Sequence, residues 1–213
     1  MINSSEKVFI DSNMLIFSAS FRQADVFEWM NQLYPNIYIH KEVYNELLTL
    51  ETKTKVAEFI KSGQWQLFDP FNSQTLTFPE QEIYRQRLKD VTNAFHRMNI
   101  NRISEGREAK SVSNIGEIAT ITACLMISAR IICSNDFDIR TVVEQEDYRV
   151  LSENDEDVLI VQDSAEDFCL YCYQADISTR KLIRKFYKTI IFEAKDRDVK
   201  LAQLDNRLNQ AEN

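Results

Sequence analysis

The sequence predicts an α/β protein built on a parallel sheet, and three observations carry that expectation. Two short apolar runs, Val8-Phe9-Ile10 and Ile131-Ile132-Cys133, each end on small polar residues and an acid. Uninterrupted apolar runs bounded by turn formers are how doubly buried parallel strands read. Between such runs lie stretches with apolar residues at helical spacing, as crossovers between parallel strands require. Glycine and proline are scarce, three of each in 213 residues, so the chain should be rich in regular structure and above all in helix.

The first run leads into Asp11-Ser12-Asn13, and apolar residues resume at Met14, Leu15 and Ile16. Asp11 then sits at the carboxyl end of a strand, where open parallel sheets bind their ligands. Its plainer role is to cap the turn or helix that follows. Residues 21–34 keep helical period through Phe21, Ala24, Val26, Phe27, Trp29, Met30 and Leu33, and Pro35 stops them. A strand is expected over 36–40, then a helix over 41–50 that carries Glu46, then a helix over 52–62 closed by Gly63. Alternation of Trp65 with Leu67 and Phe68 predicts another strand, and a polar connection from Pro70 to Pro79 precedes a long helix over 80–98.

Residues 99–114 show little apolar periodicity and read as a loop carrying Arg102, Arg107 and Lys110, with Arg97 just before it. Ile115-Gly116-Glu117 opens a helix that reaches 129 and runs into the strand 131–133. Ser134-Asn135-Asp136-Phe137-Asp138 follows, and helix resumes over 139–144. A strand at 158–161 and an amphipathic helix come next. From 151 to 179 the chain carries eight acids and no Lys or Arg, and from 180 to 200 eight bases and three acids. That basic stretch reads as one long helix, with Arg180, Lys181, Arg184, Lys185 and Lys188 on one face and Ile183, Phe186, Ile190 and Ala194 opposite. Leu201, Leu204 and Leu208 extend the apolar stripe. The plainest use of this helix is to dock on the chain itself.

Hydrophobic residues make up 44% and charged residues 27%, an ordinary globular composition. No apolar run approaches the roughly 18 residues a membrane span needs, and no signal-peptide pattern opens the chain. A cytoplasmic protein with no membrane partner is the expectation. Cys124, Cys133, Cys169 and Cys172 fit it as free thiols. Cys169 and Cys172 have half a zinc spacing without a second pair, so core packing is their reading. A net charge of −8 does not suit nucleic-acid binding unless metal ions and a local basic patch offset it.

Five acids fall at strand ends or on the helices between them: Asp11, Glu46, Glu117, Asp136 and Asp138. Carboxylates gathered at one sheet edge repel each other and raise each other's pKa values. A divalent cation offsets such repulsion, and all-oxygen ligation suits Mg²⁺ or Mn²⁺ rather than zinc. Hard cations on open carboxylates are the equipment of phosphodiester hydrolysis. No glycine-rich phosphate loop or nucleophile elbow competes.

These residues also resemble the PIN domain. Phe9-Ile10-Asp11-Ser12-Asn13, Glu46 in its helix, Gly116-Glu117 opening an apolar helix, and Ser134-Asn135-Asp136-Phe137-Asp138 after a strand carry the resemblance over roughly 7–165. It implies a three-layer α/β/α fold with a central parallel sheet, here with a helical or loop insertion at about 70–114. Residues 1–175 would form the nuclease domain, and 176–213 a C-terminal basic amphipathic extension. It implies a Mg²⁺- or Mn²⁺-dependent endoribonuclease, with Asp11, Glu46, Glu117 and Asp136 as catalytic acids and Asp138 as a further ligand. Ser12 and Ser134, with Asn13 and Asn135 beside them, would orient the carboxylates. Arg97, Arg102, Arg107 and Lys110 are the candidate substrate contacts. The partners implied are RNA, an inhibitory antitoxin-like protein if the chain is toxin-like, and a second copy in a homodimer. The alternative is a catalytically silent PIN-like module that binds RNA or protein.

Overall fold

A computed structural model describes residues 6–108, 114–152 and 154–211. The order of elements is β1 (Lys7–Ile10), α1 (Ser12–Ser20), α2 (Val26–Leu33), β2 (Asn36–His40), α3 (Lys41–Glu46), α4 (Leu50–Lys61) and β3 (Trp65–Phe68). Then come α5 (Phe78–Ser104), α6 (Ile115–Ile127), β4 (Ile131–Cys133), α7 (Asp138–Glu146), β5 (Arg149–Leu151), β6 (Asp157–Leu159) and β7 (Val161–Asp163). The chain closes with α8 (Ala165–Gln174), α9 (Arg180–Ile190) and α10 (Ala194–Ala211). Five strands pair in parallel in the order β3-β2-β1-β4-β7, and β5 and β6 form a separate antiparallel pair.

The two-residue period of a strand assigns the layers. Val8 and Ile10 of β1 enter one core, with Met14, Trp29, Val56, Phe168, Phe186 and Leu204. Phe9 between them enters a second core on the other face, with Tyr84, Phe95, Ile121 and Val142. Helices α1, α2, α4, α8, α9 and α10 therefore cover one face and α5, α6 and α7 the other. The protein is a mixed α/β fold around a parallel sheet, as the apolar runs predict. All four cysteines are free and buried. Among the described residues no helix is long and apolar enough to cross a membrane.

Strand order places the site. From β1 the chain moves outward to β2 and β3, then returns across the sheet to β4 on the other side of β1. The carboxyl ends of β1 and β4 thus flank the point where the winding reverses, where such sheets hold their ligands. Ile10 is level with Cys133, so the residues that follow, Asp11 and Ser134, emerge side by side.

Several elements differ from the sequence reading. The residues after Asp11 form α1 themselves, and the next helix is only Val26–Leu33, capped by the Asp25 carboxylate on the Phe27 and Glu28 amides. Helix α3 stops at Glu46 rather than at 50, and Thr49 caps α4 anew. Gly63 does close α4, with φ +77, a conformation that favours glycine. Helix α5 starts at a capping box formed by Thr77 and Glu80 and continues to Ser104, through residues read as loop, because Met98 and Asn99 stay buried on its inner side. The apolar run at 158–161 is two strands in different sheets: the backbone turns at Ile160, whose amide donates to the Tyr148 carbonyl. The C-terminal basic stretch is two helices, not one. They pack against each other and on α8, with Ile183, Phe186, Leu204 and Leu208 fully buried in the core that holds β1.

Candidate functional site

Asp11 is 2% exposed and does cap α1, but that uses only part of it. Oδ1 accepts the Ser12 amide at 2.8 Å. Oδ2 accepts the Ser134 hydroxyl at 2.7 Å and the Asn13 amide group at 2.5 Å. The plain capping role and the strand-end site are therefore the same residue. Asn13 spans the two strand ends: its Nδ2 also donates to Ser134 Oγ at 3.1 Å and its Oδ1 accepts the Asn135 amide at 3.1 Å. Ser134 Oγ in turn accepts the Asp136 amide at 3.1 Å, and Asp136 Oδ1 accepts the Asp138 amide at 2.9 Å. Ser12, Asn13, Ser134 and the Asn135 amide thus join the backbone and carboxylates of the β1 and β4 ends in one network.

Glu46, the last residue of α3, accepts the Ser12 hydroxyl on Oε2 at 2.7 Å. Its carboxylate lies against Gly116, where an added Cβ would come within 2.6 Å of Oε1 and 3.0 Å of Oε2. Only glycine at that position lets Glu46 approach the amino end of α6, the positive end of the helix. Glu117 follows in the first turn. Burial pushes its carboxyl up to about 8, reinforced by repulsion from Asp11, Asp136 and Glu46. Burial likewise raises Asp11 to about 6 against the pull of its Ser134 and Ser12 hydrogen bonds, with Glu46 and Asp136 adding repulsion. Four separate segments therefore bring Asp11, Glu46, Glu117 and Asp136 within electrostatic reach of one another.

Asp138 stands differently. It is 1% exposed, and Arg102 from the last turn of α5 grips both its oxygens, with Nη1 at 3.2 Å from Oδ2 and Nη2 on Oδ1. This buried pair ties α5 to α7 and engages both an expected ligand and an expected substrate base. Arg97 forks onto Glu146 at 3.0 and 2.7 Å, and Arg107 pairs with Glu105 at the surface. Lys110 lies outside the described residues. The mid-chain bases do not form a common patch: each of the three described ones is held on its own acid.

Sequence reasoning missed two residues. Gln162 in β7 donates to the Ser134 and Asp136 carbonyls at 2.7 and 2.9 Å while its Oε1 accepts the Arg140 amide, which fixes the loop carrying Asp136. Asp163 is, with Asp11, a second buried acid at a strand end; it accepts the Tyr34 hydroxyl at 2.9 Å, and burial raises it to about 6. The only signal was two polar residues ending a short β run.

No family model, curated protein or solved structure matches this chain. The functional reading therefore stands on the geometry. Among the described residues no three His, Cys, Asp or Glu side chains already form a metal-holding group.

Proposed function

We propose that the chain is a PIN-like nuclease that hydrolyses RNA phosphodiester bonds with a divalent cation, Mg²⁺ or Mn²⁺. One observation carries the reading. Four carboxylates from four segments are gathered at the winding reversal of a parallel sheet, and two of them are raised by burial and mutual repulsion. Carboxylates gathered this closely repel one another, and a divalent cation would offset that repulsion.

The donor set fits a hard cation. All four groups are oxygen acids, and the buried histidine His40 is taken up elsewhere, by Tyr84 and the Glu42 amide. Asp11, Glu117 and Asp136 would hold the main ion, with Glu46 completing the set. When bound, such an ion supplies Lewis acidity toward the scissile phosphate and the attacking water. The chain itself supplies orientation: Ser134 and Asn13 fix the Asp11 carboxylate, Ser12 fixes Glu46, and Gln162 fixes the loop of Asp136. Asp138 belongs to the support of the site through Arg102, rather than to its ligand set.

The silent-module alternative is favoured by one feature, that Asp11 already serves three protein donors. Cleavage of a labelled single-stranded RNA pool with Mn²⁺ separates the two. The nuclease reading predicts cleavage that EDTA stops and Asp11→Asn abolishes. Intact RNA in Mg²⁺ and Mn²⁺ at high protein concentration would leave the binding module as the better account.

A further inference from the structure

Phe137 stands between Asp136 of the carboxylate cluster and the buried Asp138, yet it belongs to neither core and is 54% exposed. A single apolar side chain at the surface is ordinary. This one is braced. Arg140, one turn later on α7, stands over the ring with its guanidinium carbon 5.8 Å from the centroid, within the reach of a cation–π contact. Arg140 is itself fixed: its amide donates to Gln162 Oε1 at 3.0 Å, its Nη2 to the Gln162 carbonyl at 3.0 Å, and its guanidinium pairs with Asp167 at 3.6 Å. Gln162 also holds the Ser134 and Asp136 carbonyls. One residue thus sets both the loop of Asp136 and the cation behind the ring. Phe137 is a flat surface held in place beside the cluster.

The neighbouring segments present the same character. Leu48 and Ile115 are exposed, and each lies within two residues of an acid of the cluster, Glu46 and Glu117. Chain geometry alone keeps them within about 7 Å of those acids, Cα to Cα. The bases expected to grip phosphates are engaged instead, Arg97 by Glu146, Arg102 by Asp138 and Arg107 by Glu105. A strand reaching the carboxylates therefore meets apolar side chains rather than those arginines.

We propose that Phe137 is a stacking platform for an unpaired RNA base, the one beside the scissile phosphate, and that stacking rather than arginine–phosphate pairing holds the strand. Every base has a π-face, so the platform tolerates sequence. A duplex keeps its bases covered and offers it nothing. A protein partner would call for a contiguous apolar face, whereas Leu48, Ile115 and Phe137 come singly from three segments around a charged cluster. The inference deepens the nuclease reading and rests on it for placing the scissile phosphate at the carboxylates.

The test is a binding cycle on the full chain. A labelled single-stranded RNA, intact or with one abasic residue scanned along it, is titrated in Ca²⁺ and read by fluorescence anisotropy; cleavage of the same RNA is followed separately in Mn²⁺. An abasic residue at one position should weaken binding to the wild type about 5- to 100-fold. Phe137→Leu, which keeps apolar bulk and loses the ring, should weaken binding of the intact RNA by the same factor and lose nothing further at that position. Phe137→Trp should bind at least as tightly as the wild type. Raising salt from about 50 to 200 mM should cost less than about tenfold, against the 10³–10⁵ lost by a protein making 6–10 phosphate contacts. This coupling without any cleavage in Mn²⁺ keeps the platform and removes the nuclease reading. Losses that simply add, or an RNA affinity that is absent or unchanged in Phe137→Leu, overturn the proposal even if RNA is cut, and assign the exposed ring to a protein partner.

Discussion

Gly116→Ala probes the site through a single methyl group. In an open helix, replacing glycine by alanine gains at most about 1 kcal/mol. Here the new Cβ would stand 2.6 Å from Glu46 Oε1 and 3.1 Å from its Cδ. The carboxylate is the free end of a flexible side chain, so it moves and the backbone does not. Moving it breaks the 2.7 Å Ser12–Glu46 hydrogen bond, and a bond to a charged group contributes about 1.5–3 kcal/mol. The loss exceeds the gain, leaving Gly116→Ala destabilised by about 0.5–2 kcal/mol.

A double-mutant cycle isolates the contact. In a Glu46→Ala background nothing opposes the methyl, and Gly116→Ala should then stabilise by up to about 1 kcal/mol, a rise of about 2–4 °C in Tm for a chain this size. Scanning calorimetry of the four proteins reads it directly. Cleavage by Gly116→Ala should fall about 10- to 100-fold, the usual effect of disturbing a group that sets a metal ligand. An equal change in Tm in both backgrounds refutes the close approach of Glu46 to α6.

Three further predictions test the surroundings. His40 is lowered from 6.5 to about 4, so below pH 6.5 the unfolded chain binds a proton that the folded chain refuses. The stability this buried ring allows is complete above pH 6.5 and falls by about 3 kcal/mol as pH drops to 4; subtracting the urea-denaturation profile of His40→Gln should show that difference, and superposable profiles would contradict it. Arg102→Met removes the guanidinium that grips both oxygens of buried Asp138 and should cost about 3–5 kcal/mol, largely recovered in the Arg102→Met, Asp138→Asn double variant; no recovery would mean that the pair is not the source of the loss. Leu204→Ala and Leu208→Ala, both fully buried, should each cost about 2–5 kcal/mol, and limited proteolysis should spare the α8–α9 junction near Thr179 until the chain melts; early cleavage there would show α9 and α10 undocked.

The sheet was legible because parallel strands covered on both faces have no solvent-facing residue to interrupt them. Val8-Phe9-Ile10 and Ile131-Ile132-Cys133 therefore marked both strands and, at their ends, Asp11 and Asp136. The same rule misled at 158–161, where one apolar run serves two sheets and the break at Ile160 carries no turn residue. The break between α9 and α10 is equally silent, since Ile190 and Ile191 are both buried and neither glycine nor proline marks the corner. The pairing of Asp138 with Arg102 joins residues 36 positions apart. Composition offered both as site residues, and only tertiary packing shows them neutralising each other. Gln162 could not be read at all, since its role consists of hydrogen bonds to carbonyls of another strand's loop.

The central claim is that Asp11, Glu46, Glu117 and Asp136 together take a divalent cation, and calorimetric titration of Mn²⁺ into the chain tests it most directly. The account predicts saturable binding that raises Tm, weakened at least tenfold by Glu117→Gln and by Asp11→Asn. Absence of binding at millimolar Mn²⁺, or binding that both variants retain unchanged, would contradict it.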